Sequence, residues 1–118
     1  MAMNELIKEV EQITQTELNR ANASFPLFNS KHEGYAVIKE ELEETREALD
    51  TLESSIDVLW QDVRDKDVPR IIADFNTTEE MHAQAVAVAA EAIQTAAMIL
   101  KYDMSLLDKA ENEEKNDE

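Results

Sequence analysis

The sequence predicts an all-α protein: a bundle of about three main helices, one of them very long, completed by association of subunits. Two features of the composition point there. The 118 residues contain one Gly and two Pro, too few turn residues for a many-stranded sheet. The long segments are built from Ala, Glu, Leu and Ile, which favour helix. The apolar residues also recur every three or four positions, the period of an amphipathic helix.

Residues 3 to 22 carry Leu6, Ile7, Val10, Ile13, Leu18 and Ala21 at helical spacing, loosening near Gln15 and Thr16. The phrase "SFPLFNS" ends this first helix, because Pro26 pushes Phe25 out of the α region and lacks an N–H. Phe25, Leu27 and Phe28 are expected to cap the core from that loop. Ser30 with Glu33 three positions later is a capping box, so a second helix should start near Ser30. Its apolar seam runs through Tyr35, Ile38, Leu42, Thr45, Leu49, Leu52, Ile56, Leu59 and Val63 to about Asp67. A straight helix of that extent is about 54 Å long, against a radius of gyration of roughly 13 Å for a compact chain of this size. It must kink, project or pack on another subunit.

Pro69 is expected to end the long helix, with residues 68–76 as the connection. Thr77 and Glu80 form a second capping box, opening a helix over Thr78–Leu107. Its sequence "AQAVAVAAEAIQTAAMILKY" is nearly apolar and Ala-rich, which predicts burial on most sides. The polar ending "DKAENEEKNDE" lacks apolar anchors and reads as a disordered tail. Residues 1–108 are therefore assigned to a single domain and 109–118 to the tail.

The net charge of −16, with 11 scattered basic residues, argues against binding nucleic acid or an anionic membrane surface. The chain has no cysteine, the N-terminal stretch does not resemble a signal peptide, and no apolar run is read as approaching bilayer length. A cytoplasmic protein is the expectation. His32 and His82 lie fifty residues apart near helix starts and read as capping or surface groups. Tyr35 and Trp60, on or beside the seam, read as core or interface anchors. Phe25 and Phe28 border the start of the acidic helix and are expected to pack there.

The acids hold the chemistry. Glu40, Glu41, Glu43, Glu44 and Glu47 crowd one stretch of helix, where like charges three and four apart repel by roughly 0.2–0.5 kcal/mol per pair. Glu41 and Glu44 border the seam, whereas Glu43 and Glu47 turn outward. Taken alone, the cluster reads as a solvated face. Glu91 changes that balance, because it is the one charged side chain between Glu80 and Lys101, set among small apolar residues. A carboxylate buried there needs a compensating partner. Gln94 adds an oxygen on the same face, and hard cations such as Mg²⁺ take oxygen ligands of this kind.

With these residues in view, a resemblance becomes usable. Glu40, Glu41 and Glu44 in "EELEE" match the EExxE signature of the MazG-like all-α nucleoside triphosphate pyrophosphohydrolases, whose second acidic helix carries ExxD. "EAIQ", with Glu91 and Gln94, resembles that second motif. "HEGYAVIKEE" and "EAIQTAAMILK" together are similar to a phage-associated branch, over roughly residues 25–103. The resemblance implies a nucleoside triphosphate, ribo or deoxy, cleaved to monophosphate and pyrophosphate with Mg²⁺ or Mn²⁺. It implies Glu41, Glu44, Glu91 and Gln94 as metal ligands, and Glu40 as a further ligand, base or supporting group. Lys101 becomes a candidate phosphate contact, its other use being a charge near a helix C-terminus.

Gln94 stands where the family has Asp, and the gap from Glu44 to Glu91 is longer than in the common form. A catalytically inactive helical module that binds metal, nucleotide or another protein is the alternative expectation. A homo-oligomer, dimer or tetramer, is expected either way.

Overall fold

The computed structural model describes residues 2–64 and 77–116. They form an all-α helical bundle of three helices: α1 (Ala2–Ser24), α2 (Lys31–Arg64) and α3 (Thr78–Asn116). The expected helix end at Pro69 and the connection over 68–76 lie outside the described residues.

Both predicted caps form. The Glu33 N–H donates to Ser30 Oγ at 3.0 Å and Glu33 Oε2 accepts from the Asn29 N–H at 3.4 Å. At the start of α3 the Glu80 N–H donates to Thr77 Oγ1 at 3.1 Å. Each cap satisfies an amide that a helix start would otherwise leave without an acceptor.

The contacts divide the chain into two compact units. The first comprises Met1–Leu42 with Ala92–Glu118. Its core is Leu18, Phe28, Ala97 and Met98, with Ala21, Val37, Ile38 and Tyr102 packed against it. Phe28 is fixed by its backbone as well as its ring: its N–H donates to Ser105 Oγ at 2.9 Å, and that hydroxyl donates to the Lys101 carbonyl at 2.8 Å. The α1–α2 loop is thereby fastened to α3. Of the three loop residues expected to cap the core, Phe28 is buried, Leu27 half-buried and Phe25 exposed. On α1 the buried positions are Thr14 and Leu18, while Leu6, Ile7, Val10 and Ile13 stay exposed. The Thr14 hydroxyl donates back to the Val10 carbonyl at 2.9 Å, which is how a polar residue sits on a buried stripe.

The second unit is Glu43–Glu91. Its buried side chains among the described residues are Ser55 and Met81. Leu52, Val58, Leu59 and Val88 are half-buried.

The α2 seam resolves into two rows. Gly34, Ile38, Glu41, Thr45, Ala48, Leu52, Ser55 and Leu59 are buried or half-buried, whereas Tyr35, Leu42, Leu49, Ile56 and Val63, spaced seven apart, are exposed. The sequence reading merged them because both are largely apolar and lie one residue apart around the helix. Gly34 belongs to the inward row for a steric reason. A Cβ there would run into Tyr102 Cδ2 and come within 2.9 Å of Tyr102 Cε2 and 3.1 Å of Phe28 Cδ2.

Two expectations for α3 are corrected. The Ala-rich stretch is not buried on most sides: Ala97, Met98 and Lys101 are buried, but Val86, Ile99 and Leu100 are exposed. Alanine side chains give the stretch an apolar composition without the bulk to cover its neighbours. The helix also continues past Leu107 to Asn116, because no Gly or Pro interrupts it and Lys109, Ala110 and the glutamates are good helix formers. An 18-residue window of α3 reaches a mean hydropathy of 1.5, so by length and composition it is apolar enough to cross a bilayer, contrary to the sequence expectation. Only 11% of that window is buried, unlike the mostly buried core helix of a bundle that meets the same criterion, and the stretch carries Glu91.

Candidate active site

Three carboxylates converge. Glu41 and Glu44 lie one turn apart on α2, and one oxygen from each lies within 4.8 Å of the others and of an oxygen from Glu91 on α3. Glu41 and Glu91 are half-buried and Glu44 is exposed. Glu91 was expected to be enclosed among small apolar residues. Its half-exposure follows from the alanines around it, since Ala89, Ala90 and Ala92 are themselves exposed. Glu40, Glu43 and Glu47 are exposed and outside the convergent group.

The donor set fits a hard divalent cation. Mg²⁺ holds oxygens at about 2.0–2.1 Å in an octahedron, so opposed ligand oxygens sit about 4.2 Å apart. Oxygens already within 4.8 Å of one another reach that arrangement by small side-chain rotations. Three carboxylates leave further positions for water and phosphate oxygens. Both histidines are exposed and absent from this group.

Gln94, one turn beyond Glu91, has a definite partner. Its Nε2 donates to Glu17 Oε1 on α1 at 2.7 Å, while Glu17 Oε2 pairs with Arg20 at 2.8 Å. Sequence reading missed Glu17. The available signal was an acid between Thr14, Leu18 and Ala21 on the stripe that α1 turns inward.

Beside Glu41, within the first unit, lies a cleft of about 390 Å³ lined by Phe25, Phe28, Glu33, Glu41, Gln94 and Lys101, with Ala21, Pro26, Val37 and Met98. Its size and mixed walls suit a small polar ligand with an apolar part. A larger groove of about 630 Å³, lined by Leu6, Ile7, Val10, Ile99 and Leu100 among others, is almost wholly apolar. The titratable groups therefore single out the smaller space.

Lys101 is only 3% exposed, with its Nζ 5.1 Å from the centre of the Phe28 ring. Because α3 runs on to Asn116, Lys101 stands well inside the helix, and the reading of it as a charge at a helix end is corrected. Burial pushes its pKa below the ordinary lysine value of 10.5, and the nearby Glu33 carboxylate pulls it partly back. Between that lowered value and 10.5 the unfolded chain holds the extra proton, so the cost of burying this charge is full at neutral pH and fades as pH rises towards 10.5. Lys101→Met, which keeps the bulk and removes the charge, should therefore raise the urea midpoint at pH 7, by an amount that shrinks with increasing pH. An unchanged or lowered midpoint at pH 7 contradicts this account.

Compared with models of known families, with curated proteins and with solved structures, the chain matches none. What it can do must be argued from its own groups: a cluster of oxygen donors, a cleft with one buried cation, and an exposed aromatic ring at Phe25.

Proposed function

We propose that this chain is a Mg²⁺-dependent nucleoside triphosphate pyrophosphohydrolase that works as a homo-oligomer. One observation carries the reading. Glu41 belongs both to the convergent carboxylates and to the wall of the cleft that holds Lys101. A ligand lying in that cleft would bring its phosphates against the acids, a meeting of like charges that a divalent cation makes favourable.

Glu41, Glu44 and Glu91 would hold the metal, with Gln94 as a neutral oxygen donor. When bound, the metal supplies charge neutralisation on the phosphates and acidifies a coordinated water. Lys101 offers a positive charge in a poorly hydrated place, where it counts for more than at a surface. Phe25, exposed in the cleft wall, offers a face for a base. Glu40, next to Glu41 along the helix, would accept a proton from the attacking water. Water bonds to the α-phosphorus, the bond to the bridging oxygen breaks, and monophosphate and pyrophosphate separate. The exposed row on α2, five residues spaced seven apart, supports association of copies, since an apolar stripe of that length is unfavourable in water.

The test is pyrophosphate release from a panel of ribo- and deoxynucleoside triphosphates with Mg²⁺ or Mn²⁺, beside light scattering to count subunits. Turnover of at least one nucleotide by an oligomer is expected, and silence across the panel with both metals defeats the reading. The neutral Gln94 favours a second reading, a module of the same architecture that binds metal without turnover. That protein would melt higher in Mg²⁺, with no further rise when nucleotide is added.

A further inference from the structure

Gln94 and Glu17 form a matched pair. A carboxylate can only accept, so the amide must turn its N–H towards Glu17, as it does at 2.7 Å. Glu17 is held in turn, because its second oxygen is taken by Arg20 at 2.8 Å and its side chain is only 20% exposed. With Nε2 committed to α1, Oε1 is the end of the amide left to the cleft that Gln94 helps to line.

We propose that Glu17 is a positioning residue for the metal site: it fixes the Gln94 amide so that Oε1 faces the cleft whose wall Gln94 shares with Glu41. The negative charge that an aspartate at position 94 would bring is carried instead by Glu17, one hydrogen bond further out. This assignment rests on the metal-dependent reading of the site. Its own content is the coupling between the two positions. Exchanging Gln94 alone for Glu, which keeps the length of the side chain, would set two carboxylates against each other at hydrogen-bond distance. Neutralising Glu17 alone would release the amide to turn. Exchanging both restores a bond of the same kind with its poles reversed, because an amide at position 17 can give its N–H to the acid and its oxygen to Arg20.

The experiment compares wild type, Glu17→Gln, Gln94→Glu and the double variant, as full chains, by melting temperature in EDTA and by the Mg²⁺ concentration that half-saturates the thermal shift. Gln94→Glu should melt lower than wild type without metal. Glu17→Gln should need about tenfold more Mg²⁺, the lower end of what losing an orienting partner costs. The double variant should return towards wild type on both measures. Additive effects, or a Glu17→Gln midpoint equal to wild type, overturn the role given to Glu17. If wild type itself shows no Mg²⁺-dependent shift, the metal-site reading falls and the role of Glu17 falls with it; a normal wild-type shift with no recovery in the double variant removes Glu17 alone.

Discussion

Glu41→Gln and Glu91→Gln are each expected to lower pyrophosphate release by at least about a hundredfold, the upper end of what disturbing a ligand's supporting partner costs a metal site. Both changes keep the side chain's shape and remove its charge. They therefore address the oxygen cluster while sparing the packing. The fold should survive, and removing Glu41 should slightly relieve α2, where Glu41 and Glu44 repel one turn apart. Glu47→Gln supplies the control, since Glu47 is exposed on the same helix outside the cluster and its loss should leave turnover unchanged. Circular dichroism run beside the pyrophosphate assay separates lost chemistry from lost structure. A Glu91→Gln protein as active as wild type would remove Glu91 from the site.

The largest effect on stability is expected at Gly34. Replacing a helical glycine with alanine ordinarily gains up to about 1 kcal/mol. Here the new methyl would meet the Tyr102 ring and press on Phe28, and overpacking of this kind costs about 1–3 kcal/mol. The clash should win, so Gly34→Ala lowers the melting temperature and Gly34→Val lowers it further. A compensating change identifies the cause. In a Tyr102→Leu background the penalty for Gly34→Ala should shrink, because the ring that blocks the methyl is gone. Equal penalties in both backgrounds would show that Tyr102 is not the obstacle.

The sequence reading was most reliable where the physics is local. Both capping boxes lie within four residues of chain, and Ser30 and Thr77 accept the hydrogen bonds foreseen for them. The three helices follow from composition and period, and the acids on α2 follow from residue spacing alone. Its errors arose where the answer depends on what a side chain faces. The phase of the α2 seam could not be fixed, because two adjacent rows were both apolar and only tertiary packing chose between them. Lys101 was placed near a helix end on the assumption that a polar tail frays. The tail carries no apolar anchor, yet its helix formers hold it helical through Asn116. The bond from Gln94 to Glu17 joins residues 77 apart in sequence and has no local trace. Gly34 did leave one: a lone glycine inside a helical pattern marks close approach more often than accident.

From Leu107 to Lys115 every side chain of α3 is exposed, so this stretch leans on nothing and its helicity is purely a matter of helix–coil statistics. It should therefore unravel gradually with warming, outside any cooperative transition. An ellipticity at 222 nm would count these turns as ordered structure although they contribute nothing to the free energy of unfolding. They leave a length of chain to which a label or surface tether can be attached without disturbing the rest.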